Sequence, residues 1–487
     1  MAYDSMLLYL GQIMNFILSL VFVGLLLACT ALAQEDKTPI IDAAKLYETY
    51  CAACHGINME GAQHTPLRKD NWAYGRDRLR MYRSVMFGIP NTDMIPWSQL
   101  LTEEQGYDLV DYIIESQDSP PNAERELPTQ LKTRDYLIKV ETVVVEGFNS
   151  SPWSLEFIDE RRALVTERRG GLRWIVDGKL DPQPIEGVPA TTQYGDSGFY
   201  DLEIHPDYKS NGWIYFSHVH PLGDGSTRDT PAMTRVIRGR VEGHHWVDQE
   251  VIFQLDDARH FVQGTRWGSR MLFDMHGYLY FSIGDIGRND DVQQLQFPAG
   301  KSYRIFPDGS IPPDNPFVGV EGGIEEIFTI GNRNIQGLAQ HPVTGVIWAT
   351  EHGPLGGDEL NILQKGNNYG WPVITHGLQY TGDRVSPLTH KEGMEQPVKF
   401  WTPSPALSAI EFYTGHLFPK WKNNAFVATL AFEEIKRLNL GKTRVMSEEV
   451  IMKNHGRLRD IKTGPEGGIW VVLNNPHSVI RLVPQDI

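Results

Sequence analysis

Residues 269–285 read SRMLFDMHGYLYFSIGD. The apolar run Met271-Leu272-Phe273 meets Asp274, a turn follows through Gly277, and a second apolar run, Tyr278-Leu279-Tyr280-Phe281, leads away. Two strand-forming runs on either side of a turn predict a β-hairpin. The pattern recurs in WSLEFIDERRALVTERRGGL, FYDLEIHPDYKSNGWIYFSH, IQGLAQHPVTGVIWATEHG, LSAIEFYTGHLFPKWKNNAFVATL and LRDIKTGPEGGIWVVLNN. The six units start at Trp153, Phe199, Ser269, Ile335, Leu407 and Leu458, 46 to 72 residues apart. Six repeats of that size, each one antiparallel sheet, predict a mainly β chain folded as a six-bladed β-propeller, whose radial closure hides the sheet edges. A large β-sandwich or barrel with coincidentally similar hairpins is the alternative.

Upstream of this region the texture differs. Over residues 40–116 the runs IIDAAKLYETY and RDRLRMYRSVMFG space their apolar residues at helical intervals. Thr102-Glu-Glu-Gln105 forms a capping box ahead of the amphipathic run GYDLVDYIIES. A small all-α domain is therefore expected over 34–116. The polar, Pro-containing and aperiodic stretch QDSPPNAERELPTQLKTRD places a linker over 117–137, and the propeller follows over 138–487. The heavy load of turn residues, 46 Gly and 30 Pro, agrees with many short strands.

The whole chain of 487 residues is 41% hydrophobic and 22% charged, which excludes disorder, collagen-like structure and a polytopic membrane protein. A formal net charge of −16 makes its average surface repel phosphate backbones, so nucleic acid is not an expected partner. Three cysteines cannot supply a disulfide framework.

Residues 6–33 carry no charge, and FILSLVFVGLLLACTALA is almost wholly apolar. Three readings of 1–33 stand. A secretory signal peptide would be cut after Ala31-Leu32-Ala33, before Gln34, although residues 1–13 hold Asp4 and no Lys or Arg. Left uncut, the run is long enough to anchor the chain in a bilayer. Leu26-Leu27-Ala28-Cys29 resembles a lipidation site on Cys29. All three export the mature chain, so a periplasmic location is expected, anchored to the membrane in the second and third.

Cys51-Ala-Ala-Cys54-His55 is the strongest chemical motif. Two thiols three positions apart can each add to a haem vinyl group, and the adjacent imidazole then falls on the iron. A zinc site lacks the second pair of cysteines, a thioredoxin-like pair lacks a βαβ context, and a disulfide leaves His55 unexplained. Covalent haem c is the expectation. The sixth ligand should be a thioether or a second His. Met59 is too near His55 to reach round the ring, and Met81 and Met86 lie in a helical pattern that suits core. Met94 sits in GIPNTDMIPW, an irregular Pro-flanked loop able to fold over the far haem face; His64 is the minor candidate. Residues 40–116 resemble a small class I cytochrome c, which implies His/Met ligation and single-electron transfer.

From Trp153 onward the phrases PWSLEFI, VTERRGGL, IHPDY, GYLYFSIGDIGRND, DGSIPPDNPF, GNRNIQGLAQHP, EHGPLGGDELNIL, GNNYGWP, WTPS, FYTG and RLRDI appear in order. On these phrases the chain resembles the soluble sugar dehydrogenases that use pyrroloquinoline quinone (PQQ), in particular the aldose sugar dehydrogenase family. The resemblance implies a PQQ site over the central channel, held by basic residues because the cofactor is a tricarboxylate. It places Arg333 and Asn334 of GNRN, and Arg457 and Arg459 of GRLRD, in that role. The i, i+2 spacing of the last two puts both guanidiniums on one face of a strand. It also implies calcium on the backbone carbonyls of Gly353 and Pro354, and a second, structural calcium near Glu359 and Tyr369.

Three positions depart from the family pattern. The general base, a His in the family, is Arg266 here, and Arg cannot be deprotonated near neutral pH. Its acidic partner is kept as Asp285, so an Arg266–Asp285 ion pair is expected. The substrate-side Gln is Asp196, and the PQQ-binding Lys is Ala431. His260, six residues before Arg266, offers a substitute base but is expected to be a solvated loop histidine. The function expected from all this is an exported oxidoreductase that oxidises a sugar or another hydroxylated small molecule through PQQ. Electrons would pass to its own haem and on to a respiratory acceptor. The rival is a catalytically degenerate propeller acting as an electron-transfer or docking subunit, with haem as the sole redox centre.

Overall fold

In the computed structural model the six predicted repeats become six antiparallel sheets. Residues 43–116 are described apart from 52–54, 56–58, 60–66, 68–71, 73, 76, 91 and 93, and residues 127–485 apart from 193–195, 228, 263, 380–383 and 475. The readings of the N-terminal segment 1–33, and those of Cys54 and His64, lie outside the described residues. Each sheet opens with the strand expected from the repeat: Pro152–Phe157, Phe199–Ile204, Met271–Phe273, Ile335–Gln340, Leu407–Phe412 and Arg457–Thr463. These first strands touch their neighbours in a closed ring. The fold is a six-bladed β-propeller.

Closure joins the two ends of the propeller. Strand Leu137–Val144 pairs with Ser478–Pro484, from Ile138↔Pro484 to Val144↔Val479, and Gln130–Lys132 adds outside it. The linker expected over 117–137 therefore ends earlier, at a strand that its polar composition conceals. Gln130 and Lys132 are exposed because this is the outer edge of the sheet, so hydrophobic patterning leaves little trace there.

Inner strands are buried on both faces, and the ring is tied by a polar knot. Arg270 Nη1 donates to Asp201 Oδ1 at 2.9 Å and to Asp460 Oδ1 at 3.0 Å. The free oxygens of the two carboxylates accept Met271 N at 2.7 Å and Leu155 N at 3.0 Å. Four blades thus meet on three ionised side chains with every partner supplied, the condition under which buried charge is tolerated.

Among the described residues three helices of eight residues or more precede the propeller: α1 (Ala43–Tyr50), α2 (Arg78–Phe87) and α3 (Glu103–Glu115). The capping box closes as expected, with Thr102 N donating to Gln105 Oε1 at 2.9 Å and Gln105 N to Thr102 Oγ1 at 3.2 Å. Asp77 caps α2 by accepting Arg80 N, and Met81 and Met86 are buried core residues, as their spacing predicts. The chain divides into two compact units, 1–68 with 107–116, and 69–106 with 117–487, so the helical stretch contributes to both.

Candidate functional site

In the first unit, the described part of the haem motif follows directly on α1. Cys51 N donates to Tyr47 O at 2.8 Å and His55 N to Cys51 O at 2.9 Å, so His55 follows Cys51 by one helical turn. Cys51 is buried. In the second unit, Met94 sits in the loop after α2, where its carbonyl accepts Ile89 N at 2.9 Å and Thr92 Oγ1 accepts its N–H at 3.2 Å. Gly88 turns the chain there at φ 69°, and a β-carbon on it would meet Met94 O at 2.6 Å.

The second unit also holds a cavity of about 510 Å³ lined by the loops and first strands of several blades. Arg333, Asn334, Arg457, Arg459, Arg266, Asp196, Gly353, Pro354 and Ala431 all reach its wall. The turn that delivers Arg333 needs Gly331, since a β-carbon there would lie 2.1 Å from Asn368 Oδ1. Arg333 Nη1 donates to His352 O at 2.9 Å and to Gly353 O at 2.8 Å, while its backbone N–H donates to Glu351 Oε2 at 2.7 Å. Asn334 Oδ1 accepts Gly268 N at 3.1 Å. Arg459 donates to Gln336 Oε1 at 3.3 Å and lies 5.6 Å from the Trp153 ring centre. Burial and then the neighbouring Arg457 hold Arg459 well below the usual arginine range.

Arg266 and Asp285 form the expected ion pair, with Nε 2.7 Å from Oδ1 and the carboxylate fully buried. Asp285 Oδ1 also accepts Gly287 N at 3.1 Å, and Oδ2 accepts Trp371 Nε1 at 3.1 Å. Asp196 Oδ2 accepts the backbone N–H of Arg266 at 2.9 Å. The first two family departures are therefore bonded to each other. His260 corrects its expectation: it is 8% exposed, its Nδ1 lies 3.2 Å from Asp256 O, and its ring meets His220 edge-on. It does not line the cavity.

His352 does, although within EHGPLGGDE nothing in its local pattern marks it as a site residue. Burial, then Arg333, pushes its imidazole down to about 3, so it is neutral at neutral pH. Its Nε2, Arg333 Nε and Trp267 Nε1 are buried and find no hydrogen-bond partner among the described residues. Three further lining residues went unassigned in the sequence: Arg168, Arg80 and Arg83. The wall thus carries seven guanidiniums against one carboxylate, Asp196, among the described residues. Orphaned nitrogens and excess positive charge fit a polyanionic ligand rich in acceptors, as a tricarboxylate quinone is.

Hard oxygen donors gather behind the cavity. Glu351 is buried and Glu359 half-buried, and both carboxyls are raised, first by desolvation; Glu351 raises Glu359 further. Asn361 Nδ2 bridges them, at 2.8 Å to Glu351 and 3.0 Å to Glu359, while its Oδ1 has no partner among the described residues. Tyr369 lines the same pocket, but its hydroxyl donates to Ile362 O and accepts Gln364 N at 3.0 Å. Two carboxylates and an orphaned amide oxygen suit calcium there. Gly353 O already accepts Arg333, and a carbonyl retains a second lone pair for a cation.

A family model described as glucose/sorbosone dehydrogenase matches residues 149–481, and one described as cytochrome c oxidase, cbb3-type, subunit III matches residues 39–113. The aldose sugar dehydrogenase YliI of Escherichia coli is 34% identical over 354 residues, covering 71% of this chain and 94% of its own. Quinoprotein glucose dehydrogenase B of Acinetobacter calcoaceticus is 32% identical over 362 residues, covering 58% of this chain and 73% of its own. The crystal structure of the soluble E. coli aldose sugar dehydrogenase in its apo form superposes with a TM-score of 0.66 at 32% identity, covering 72% of this chain and all of that one. The chain belongs to the glucose/sorbosone dehydrogenase family and carries a cytochrome c domain at its N-terminus.

Proposed function

We propose that the protein is an exported, PQQ-dependent dehydrogenase that oxidises an aldose or a related hydroxylated small molecule and hands the electrons to its own c-type haem. A respiratory carrier would accept them next. The observation that carries this reading is the cavity wall, where among the described residues seven arginines and three orphaned buried nitrogens face one carboxylate. When bound, the quinone supplies a two-electron acceptor for the substrate's hydride equivalent. The chain's own residues hold and neutralise its carboxylates through Arg333, Arg457 and Arg459, with Asn334 positioned by Gly268 N. Calcium fits the carbonyl of Gly353 beside Pro354, and a structural ion fits Glu351 and Glu359. A one-electron acceptor tethered to the same chain raises the local acceptor concentration without a diffusional encounter.

A second reading, a docking or electron-transfer subunit with haem alone, is favoured by one observation: Arg266 is locked onto Asp285, so neither can take the substrate proton. Titrating PQQ into the haem-loaded chain with calcium present, then adding aldose anaerobically, separates the two. The dehydrogenase reading expects saturable binding and slow bleaching of the ferric haem spectrum into the ferrous one. No PQQ binding would leave the haem-only reading.

His55 and Met94 are the proposed axial ligands. Met94→Ala should remove the weak long-wavelength band that methionine ligation gives ferric haem. A band that survives the substitution would move the sixth ligand elsewhere.

A further inference from the structure

The wall segment around Ala431 is where the cavity lacks the cation its family resemblance leads one to expect. That segment is not bare. Arg80 of α2 donates from Nη2 to Leu430 O at 3.0 Å, and its Nη1 lies 3.4 Å from Glu433 Oε1 and 3.1 Å from Asp77 Oδ2. Tyr74 meets Phe432 edge-on, with ring centres 5.5 Å apart. The latch therefore grips residues on both sides of Ala431. Arg83, three positions after Arg80, falls on the same face of α2 and lines the cavity together with Arg80 and Ala431.

Cations outnumber acids on this end of the cavity wall among the described residues. Burial, then Arg80, brings Arg457 down to about 10, and Arg168 and Arg83 act on it in the same sense. Asp77 and Glu433 compensate Arg80, whereas the cluster as a whole faces the cavity with no lining acid but Asp196 among the described residues. A cation-rich wall of this kind attracts an anionic group.

We propose that Arg83, held in place by the Arg80 latch, supplies to a cofactor carboxylate the positive charge that Ala431 does not carry. The cofactor site is then completed by a helix outside the propeller, from the stretch matched by the cytochrome model. Arg80 is the positioning residue and Arg83 the binding residue. The inference rests on the PQQ reading above, and the test keeps the two apart.

Equilibrium PQQ titrations with calcium, on the full-length haem-loaded chain, should show Arg83→Gln weakening affinity about 10- to 100-fold, the range of one charge-assisted contact. Adding Ala431→Lys to Arg83→Gln should restore most of the loss, which a merely structural role for Arg83 would not allow. Ala431→Lys in the native chain should gain less than about threefold, because the charge is already present; this arm also serves if Arg83→Gln is unstable. Arg459→Gln is the control for the site itself. Native and Arg459→Gln chains differing while Arg83→Gln matches native would overturn the Arg83 assignment and leave the PQQ reading standing. Failure of rescue, or a tenfold gain from Ala431→Lys alone, overturns it equally. No binding by the native chain overturns both.

Discussion

An Arg266→His variant is expected to oxidise aldoses about 10²–10⁴ times faster than the native chain, the usual worth of a positioned general base. In the native cavity the residue at this position is a permanent cation whose Nε sits 2.7 Å from Asp285. Asp285 is fully buried and takes further donors from Gly287 and Trp371, so it stays in place when its partner changes. An imidazole there would be oriented by that carboxylate, which also stabilises the imidazolium formed as the substrate hydroxyl gives up its proton. The backbone accepts the exchange: Arg266 has φ 56°, a left-handed conformation in which His is enriched among non-glycine residues. Dye-coupled rates on PQQ- and calcium-loaded protein decide it. Native rates already matching the variant would point to Asp196 or His352 as the base. A variant that binds PQQ yet gains nothing would direct attention to Asp196→Gln combined with Ala431→Lys.

The largest stability effect should come from Arg270→Met. This side chain is 4% exposed and sits between Asp201 and Asp460, which are 0% and 1% exposed. Removing it leaves two buried carboxylates without their shared counter-charge, and breaking such a cluster typically costs about 3–5 kcal/mol. Desolvation already raises Asp201, with Arg270 the largest opposing influence, so Asp201 should be raised further in the variant. A carboxyl whose folded pKa exceeds its unfolded value binds more protons when folded, so stability rises as pH falls toward the ordinary aspartate range. Urea melts should therefore show a deficit that is largest at neutral pH and shrinks on acidification. A pH-independent deficit below about 1 kcal/mol would mean that the knot is not what ties the four blades.

Much of this molecule is legible in short stretches of its sequence, because the physics there is local. Short apolar runs punctuated by turn residues mark the starts of the six inner strands to within two residues, since strand–turn–strand punctuation is local. The Thr102–Gln105 box and the Met81 and Met86 spacing describe helices whose determinants lie within one or two turns. Cys51, Cys54 and His55 announce haem through covalent spacing alone. The departures at Arg266, Asp196 and Ala431 are likewise visible one residue at a time.

Contacts between residues far apart in the chain were decided only by the fold. Strand Leu137–Val144 completes a sheet with partners some 340 residues later, and nothing local in either segment names the other. His260 reads as a loop histidine, yet packing against His220 buries it. The pairing of Arg266 with Asp285 follows from the family pattern, whereas the hydrogen bond that ties Asp196 to the same residue requires the two loops to meet. Arg80 and Arg83 appear in RDRLRMYR as an ordinary charged helix face. That they stand on the wall that holds Ala431 depends on about 350 intervening residues closing a propeller beneath them, a non-local geometry that neither charge nor periodicity encodes.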